Sequence, residues 1–174
     1  MIKFSALLAP ENIRQGVVCS SKKRVLEMIG HIVAQQQQTE IKSIDEIQCF
    51  ENLCSREKLG NTSLGNGVAI PRAKLPEGNE ACAVFLQLAS PIDYDSADKR
   101  EIDLIFALLI PENRCAEYTE ILPELAEKLS DKNLCKQLRN AQSADEIRQI
   151  FDYADSYLQE QKQAQNEEAP LTGK

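Results

Sequence analysis

The stretch "IDLIFALLI", Ile102 to Ile110, is apolar without a break from Leu104 onward and is closed by Pro111. No alternation marks one side of it as wet, so as a strand it must be covered on both faces. The proline, which has no N–H to give to a ladder, ends it. Such a strand belongs at the centre of a sheet, with further layers above and below. Two more strands are predicted, a strong one over 81–88 and a weaker one over 13–18.

Helices fill the intervals. Val25, Leu26, Ile29, Ile32 and Val33 recur at helical spacing behind Ser20 and Ser21, which are candidate N-caps, and "QQQQ" at 35–38 reads as a polar exit. Ser43 and Glu46 have capping-box spacing ahead of Ile44, Ile47, Phe50 and Leu53, and Gly60 closes that helix. The last third carries a stripe of Ile121, Leu122, Leu125, Ala126 and Leu129, then a shorter one of Leu134 and Leu138. A third consists of Ile147, Ile150 and Phe151, with Ser143 and Glu146 again at capping-box spacing. Pro123 interrupts the first of these stripes. A proline is harmless only in the first turn of a helix, so the N-cap is expected at or near Thr119. Helices interleaved with strands around a doubly covered strand predict an α/β sandwich, a central sheet flanked by helices.

A chain of 174 residues, 43% of them hydrophobic, suits one core and a tail. Beyond Leu158 the sequence turns to Gln, Glu, Ala and Lys, so residues 159–174 are expected to form a flexible polar tail. A formal net charge of −7 without a basic stripe argues against nucleic acid and anionic membranes as partners. "MIKFSALLAP" holds too short an apolar run for a signal peptide and no segment is long enough to span a bilayer, so a cytoplasmic protein, not membrane-embedded, is expected. The six cysteines form no CxxC pair and there is one histidine, His31; free thiols, no metal and no cofactor are expected. His31 falls opposite its helix's apolar stripe, as a surface histidine does. Asp93, Asp95 and Asp98 lack the glycine and final glutamate of a calcium loop and read as a solvated acidic loop.

The segment carrying the functional question is "GNGVAIPRAKL", Gly65 to Leu75, where a short strand, Val68 to Ile70, stops at Pro71 and delivers Arg72 into a loop. The preceding "LGNTSLGNG" tolerates positive φ and is expected to be a loop with exposed amides. It lacks the Lys-Ser/Thr ending of a P-loop and the spacing of a dinucleotide fingerprint.

Three stretches, "SREKLGNTSLGNGVAIPRAKL", "VFLQLASPIDYDSADKREIDLIFALLIPE" and "LAEKLSDKNLCKQLRNAQSADEI", together resemble the type 2 IIA domain of the bacterial phosphotransferase system, the fructose- and mannitol-like type. Within it they look most like the nitrogen-related branch. The similarity covers residues 3–155. It implies a mixed sheet flanked by helices and a cytoplasmic domain that docks a histidine phosphocarrier protein and takes a phosphoryl group from it. It also implies regulatory targets such as potassium transporters and sensor kinases, hence roles in nitrogen regulation and potassium homeostasis.

In that family the residue after "AIP" is the phosphorylated histidine; here the position holds Arg72. A guanidinium stays protonated and offers no nitrogen lone pair, so Arg72 is not the usual acceptor. The family's second, supporting histidine falls at Tyr118. Of the family's site, Arg56, which by resemblance helps hold the phosphoryl group, and Thr62 remain. The resemblance therefore implies a degenerate active site with no catalytic residue of the usual kind, in a regulatory protein held in an unphosphorylated-like state. Its cleft would comprise Arg56, Thr62, Arg72, Tyr118 and Glu120.

Other readings stay open: a plain surface arginine at a strand end, phosphotransfer through another acceptor such as His31, or a small-anion sensor using Arg56, Arg72 and loop amides. A final expectation is that Arg72 pairs with Glu117 or Glu120 and stacks on Tyr118, closing the cleft with its own residues.

Overall fold

The computed structural model describes residues 2–36 and 44–172. Its strands are β1 (Ile13–Val17), β2 (Ser63–Gly65), β3 (Val68–Ala69), β4 (Arg72–Leu75), β5 (Cys82–Ile92) and β6 (Ile102–Pro111). The helices are α1 (Phe4–Leu7), α2 (Lys22–Gln36), α3 (Glu46–Leu59), α4 (Cys115–Leu129), α5 (Lys132–Asn140) and α6 (Ala144–Thr172).

The six strands form one sheet in the order β1-β5-β6-β3-β2, with β4 also on β6. The pairs β1–β5, β3–β6 and β4–β6 are parallel, whereas β5–β6 and β2–β3 are antiparallel, so the sheet is mixed. The uninterrupted apolar strand is at its centre. Ile105, Ala107 and Leu109 of β6 face a core shared with α2 and α3, and Leu104, Phe106, Leu108 and Ile110 face a second core shared with α1, α4, α5 and α6. Successive side chains leave opposite faces of a strand, so β6 needs apolar residues at every position only because both faces are covered. Each fully buried Leu, Ile or Phe there contributes about 1.5–3 kcal/mol. The α/β sandwich is thus realised as a mixed sheet between two helical layers.

The buried stripe of α2 is the one the sequence marks: Val25, Leu26, Ile29, Ile32 and Val33 are all under 4% exposed. The Ser21 hydroxyl accepts the Arg24 amide at 3.2 Å ahead of that helix. For α3 the reading changes. Its N-cap is Asp45, which accepts from the Ile47 and Gln48 amides, and Ser43 lies outside the described residues, as does the last half of the glutamine run. Ile47 is 68% exposed, and the inward line is Cys49 and Leu53. Asp45 can cap because it stands directly before the first helical residue with extended backbone.

Two further expectations are corrected. Helix α4 begins at Cys115, not Thr119, and contains Pro123 within it. It runs on from β6 through a 3-10 turn at Glu112–Arg114, and burial of Tyr118, Leu125 and Leu129 on one face holds it despite the proline. Pro123 is exposed, and the carbonyl it leaves unpaired belongs to exposed Thr119, where water can satisfy it. Second, "LGNTSLGNG" contains a hairpin: β2 and β3 pair across a turn in which Asn66 and Gly67 have φ of 56° and 83°. That pair of positive angles suits a tight two-residue turn. Helix α6 extends to Thr172. Gln, Glu, Ala and Lys are strong helix formers, so local propensity extends the element where apolar burial gives no signal.

Candidate functional site

Strand β3 stops before Pro71, as expected, but pairing with β6 resumes directly after it. The pairs Val68 with Leu104 and Arg72 with Leu108 lie in one register along β6, so β3 and β4 are a single strand track interrupted at Ile70 and Pro71. The proline has no N–H to contribute, yet its carbonyl accepts the Leu108 amide at 2.9 Å and keeps the track aligned. Arg72 therefore opens β4 on a rigid base and is not a loop residue. Its backbone is fixed by the central strand.

The Arg72 side chain is half-buried in a cleft of about 380 Å³ between the last turns of α3 and the start of α4. Arg56, Leu59, Cys115, Thr119 and Leu122 line it with Arg72. Arg56 is oriented by its own helix end, one guanidinium nitrogen donating to the Gly60 carbonyl at 2.8 Å. The Nε of Arg72 is buried without a hydrogen-bond partner, and the side chain makes no ion pair among the described residues. Burial lowers the Arg72 pKa from its ordinary value, the neighbouring Arg56 charge lowers it further, and Glu57 opposes both. Two guanidiniums face one space with little to neutralise them.

The remaining residues that the sequence places in this cleft go elsewhere. Thr62 is 5% exposed and points inward: its hydroxyl donates to the Glu57 carboxylate and lies 3.1 Å from the Tyr94 hydroxyl. The Glu57 carboxylate also takes Lys22 at 2.8 Å, and that ammonium stands 4.3 Å from the centre of the Tyr94 ring. Glu57 is thereby committed to a buried network and does not pair with Arg72. Tyr118 is 9% exposed and packs in the core beneath α4, with the Arg114 guanidinium 5.6 Å above its ring. Arg114 also donates from Nε and Nη2 to Glu117 at 3.2 and 3.1 Å. The ion pair and stacking expected of Arg72 are thus made by Arg114, a local i,i+3 partner of Glu117, and the cleft stays open. Glu120 is exposed on α4 and does not line the cavity.

His31 lies on α2, where its Nδ1 is 2.7 Å from Glu46 at a separate surface groove. The cleft therefore contains no imidazole. Sequence reasoning missed Tyr94, which it left within a solvated acidic loop although it is fully buried. An aromatic between three aspartates was the available cue. Leu59, 84% exposed at the rim, was equally hidden, since it follows the apolar stripe of α3 out of register.

Comparison with known proteins places this geometry. The family described as "Phosphoenolpyruvate-dependent sugar phosphotransferase system, EIIA 2" matches residues 6–154. A "Nitrogen regulatory protein homolog" of Haemophilus influenzae is 56% identical over 88% of this chain and 93% of its own length. The "Nitrogen regulatory protein" of Escherichia coli is 41% identical over 86% of this chain and 90% of its own. Among solved structures, nitrogen regulatory protein IIA-Ntr from Neisseria meningitidis superposes with a TM-score of 0.75 at 35% identity, covering 84% of this chain and 97% of that one.

Proposed function

We propose, for a chain that belongs to the EIIA type 2 family of the phosphoenolpyruvate-dependent sugar phosphotransferase system and is similar to its nitrogen regulatory proteins, that it acts by binding proteins and does not carry a phosphoryl group. One observation supports this above others. The side chain that β4 presents to the cleft is a guanidinium, Arg72, and the chain's one histidine stands on α2 away from it.

By resemblance Arg72 takes the place of the phosphorylated histidine and Tyr118 that of the supporting one. Phosphoryl transfer to a side chain requires a nucleophilic lone pair, and the guanidinium has none to offer near neutral pH. Phosphorylation of a histidine adds negative charge, whereas Arg72 adds a permanent positive one, so the protein is held in a state resembling the unphosphorylated form. Its place is the cytoplasm, its partners a histidine phosphocarrier and regulatory targets of the kind the resemblance implies, such as potassium transporters or sensor kinases. No described helix is long and apolar enough to cross a membrane.

The test is direct. Incubated with phosphoenolpyruvate, the general phosphotransfer enzyme and its phosphocarrier, the chain gains no phosphoryl mass by intact mass spectrometry. Arg72→His recovers slow transfer only, because Tyr118 is buried and supplies no second imidazole. Stoichiometric phosphorylation of the unmodified chain, at any residue, overturns the reading.

A further inference from the structure

A guanidinium that is desolvated yet unpaired is costly, and native structures rarely keep one without a role. Arg72 is such a group: Nε is buried without an acceptor, and the charge faces Arg56 across the same cavity. Lys74 adds a third cation to the lining, and Glu112 is the one carboxylate in it, forming no ion pair with any of them. Glu57, the acidic residue next to Arg56 in sequence, is spent on Lys22, Thr62 and Tyr94. Nothing within the described residues completes the arginine pair.

We infer that the cleft is a receptor for a phosphate-type oxyanion, held noncovalently between Arg56 and Arg72. The inference rests on the preceding reading, that the chain itself is not phosphorylated. A tetrahedral oxyanion supplies several acceptors at once, which satisfies the buried Nε while bridging two forks that would otherwise repel. The Arg56 fork is held beforehand by the Gly60 carbonyl, and the backbone that carries Arg72 is fixed by the β6 register, which reduces the ordering needed on binding. The cleft is mixed in character, with exposed Leu59 on the α3 side and Leu122 on the α4 side beside the charged groups. That surface admits the anion either free or as a phosphoryl group borne on a partner's side chain.

The two sources separate by experiment. Inorganic phosphate is titrated into the full chain with the arginine Nε resonances followed by NMR. In parallel, the phosphocarrier is titrated in its phosphorylated and unphosphorylated forms, and intact mass is read after each titration. Phosphate is expected to shift the Arg72 Nε signal saturably. Arg72→Met and Arg56→Met are each expected to weaken binding about tenfold or more, as loss of a charged hydrogen bond does. Glu112→Gln tightens it by removing the opposing carboxylate.

Similar affinity of both carrier forms, with phosphate bound, assigns the free anion. At least about tenfold tighter binding of the phosphorylated form, competed by phosphate, assigns the partner-borne group. Absence of a saturable shift together with indifference to the carrier's phosphorylation overturns the inference, as does binding unchanged in both arginine variants. A mass gain that survives denaturation overturns instead the reading it rests on. Arg56→Met serves where Arg72→Met alters folding, because Arg56 lies at an exposed helix end.

Discussion

A thiol at position 49 and a guanidinium at position 72 meet the same penalty, burial away from water, and answer it in opposite ways. The thiol can stay neutral. Cys49 is 2% exposed between α3 and the sheet, and burial pushes its pKa up to about 11. Its folded-state value lies above its unfolded one, so the native protein holds this proton longer. The associated stability is fully present below about pH 9 and is lost as pH rises from there to about 11, a change of about 2–3 kcal/mol. Urea unfolding from about pH 8 to about pH 11 is expected to show that decline, and Cys49→Ala to flatten it at lower overall stability. An equally steep decline in the variant would assign it elsewhere, first of all to Tyr94, whose phenol burial also raises. Arg72 has no such escape, because a guanidinium does not discard its proton. Its remaining route is an anion from outside, so the same physics yields an inert core residue at one position and the proposed anion site at the other.

Elements show how far a local rule carries. A proline is unfavourable in a helix interior by about 3 kcal/mol relative to alanine, a cost large enough to make a later helix start reasonable. In α4 the outcome differs because the turn before it, Glu112–Arg114, leaves β6 already heading into the helix, and because Tyr118 gains burial only if the first turn forms. The Thr119 hydroxyl donates to the Cys115 carbonyl at 3.0 Å, tying that first turn together. Pro123→Ala restores the amide that Thr119's carbonyl lacks and removes no buried group, since Pro123 is exposed. It is expected to raise stability by about 1–3 kcal/mol in chemical denaturation. A loss of stability would mean that the ring itself packs. The interrupted β3–β4 track teaches the complementary lesson. There the proline costs only its own donor, and its own carbonyl, accepting the Leu108 amide, keeps the register that aims Arg72.

For the molecule as a whole, the two ends of the chain are joined through its second core. Phe4 of α1 lies 4.7 Å from Phe151 of α6 between ring centres, and Phe106 of β6 and Phe85 of β5 complete the aromatic group. Asp155, 6% exposed, accepts the Phe4 and Ser5 amides at 2.8 and 3.0 Å and so caps α1 from α6. On these contacts residues 3–155 are proposed as the folding unit, with residues 159–174 dispensable to it. A chain ending at residue 158 is expected to melt within about 2 °C of the full one, whereas one ending at residue 150, without Phe151 and Asp155, is expected to lose most of its cooperative transition. Thermal unfolding followed by circular dichroism distinguishes these outcomes. A large fall on removing 159–174 would instead make the C-terminal part of α6 integral to the fold.

What the sequence by itself determined is whatever repeats over a few residues. The doubly buried centre of the sheet is written in 104–110, the stripe of α2 in its spacing, and the absence of an imidazole after "AIP" in a single letter. These depend on side chains that are neighbours along the chain, so periodicity reports them. Partnership across the fold is of another kind. Thr62 turns inward because Tyr94, remote in sequence, is buried beside it. Glu117 is taken by Arg114 rather than Arg72, because a neighbour one helical turn away closes the pair without ordering a distant side chain. Arg56 and Arg72 share a cleft only through the packing of α3 beside β4. Desolvation of a charge is a property of everything packed around it, and only the assembled layers decide which arginine is left buried, unpaired and facing an open space.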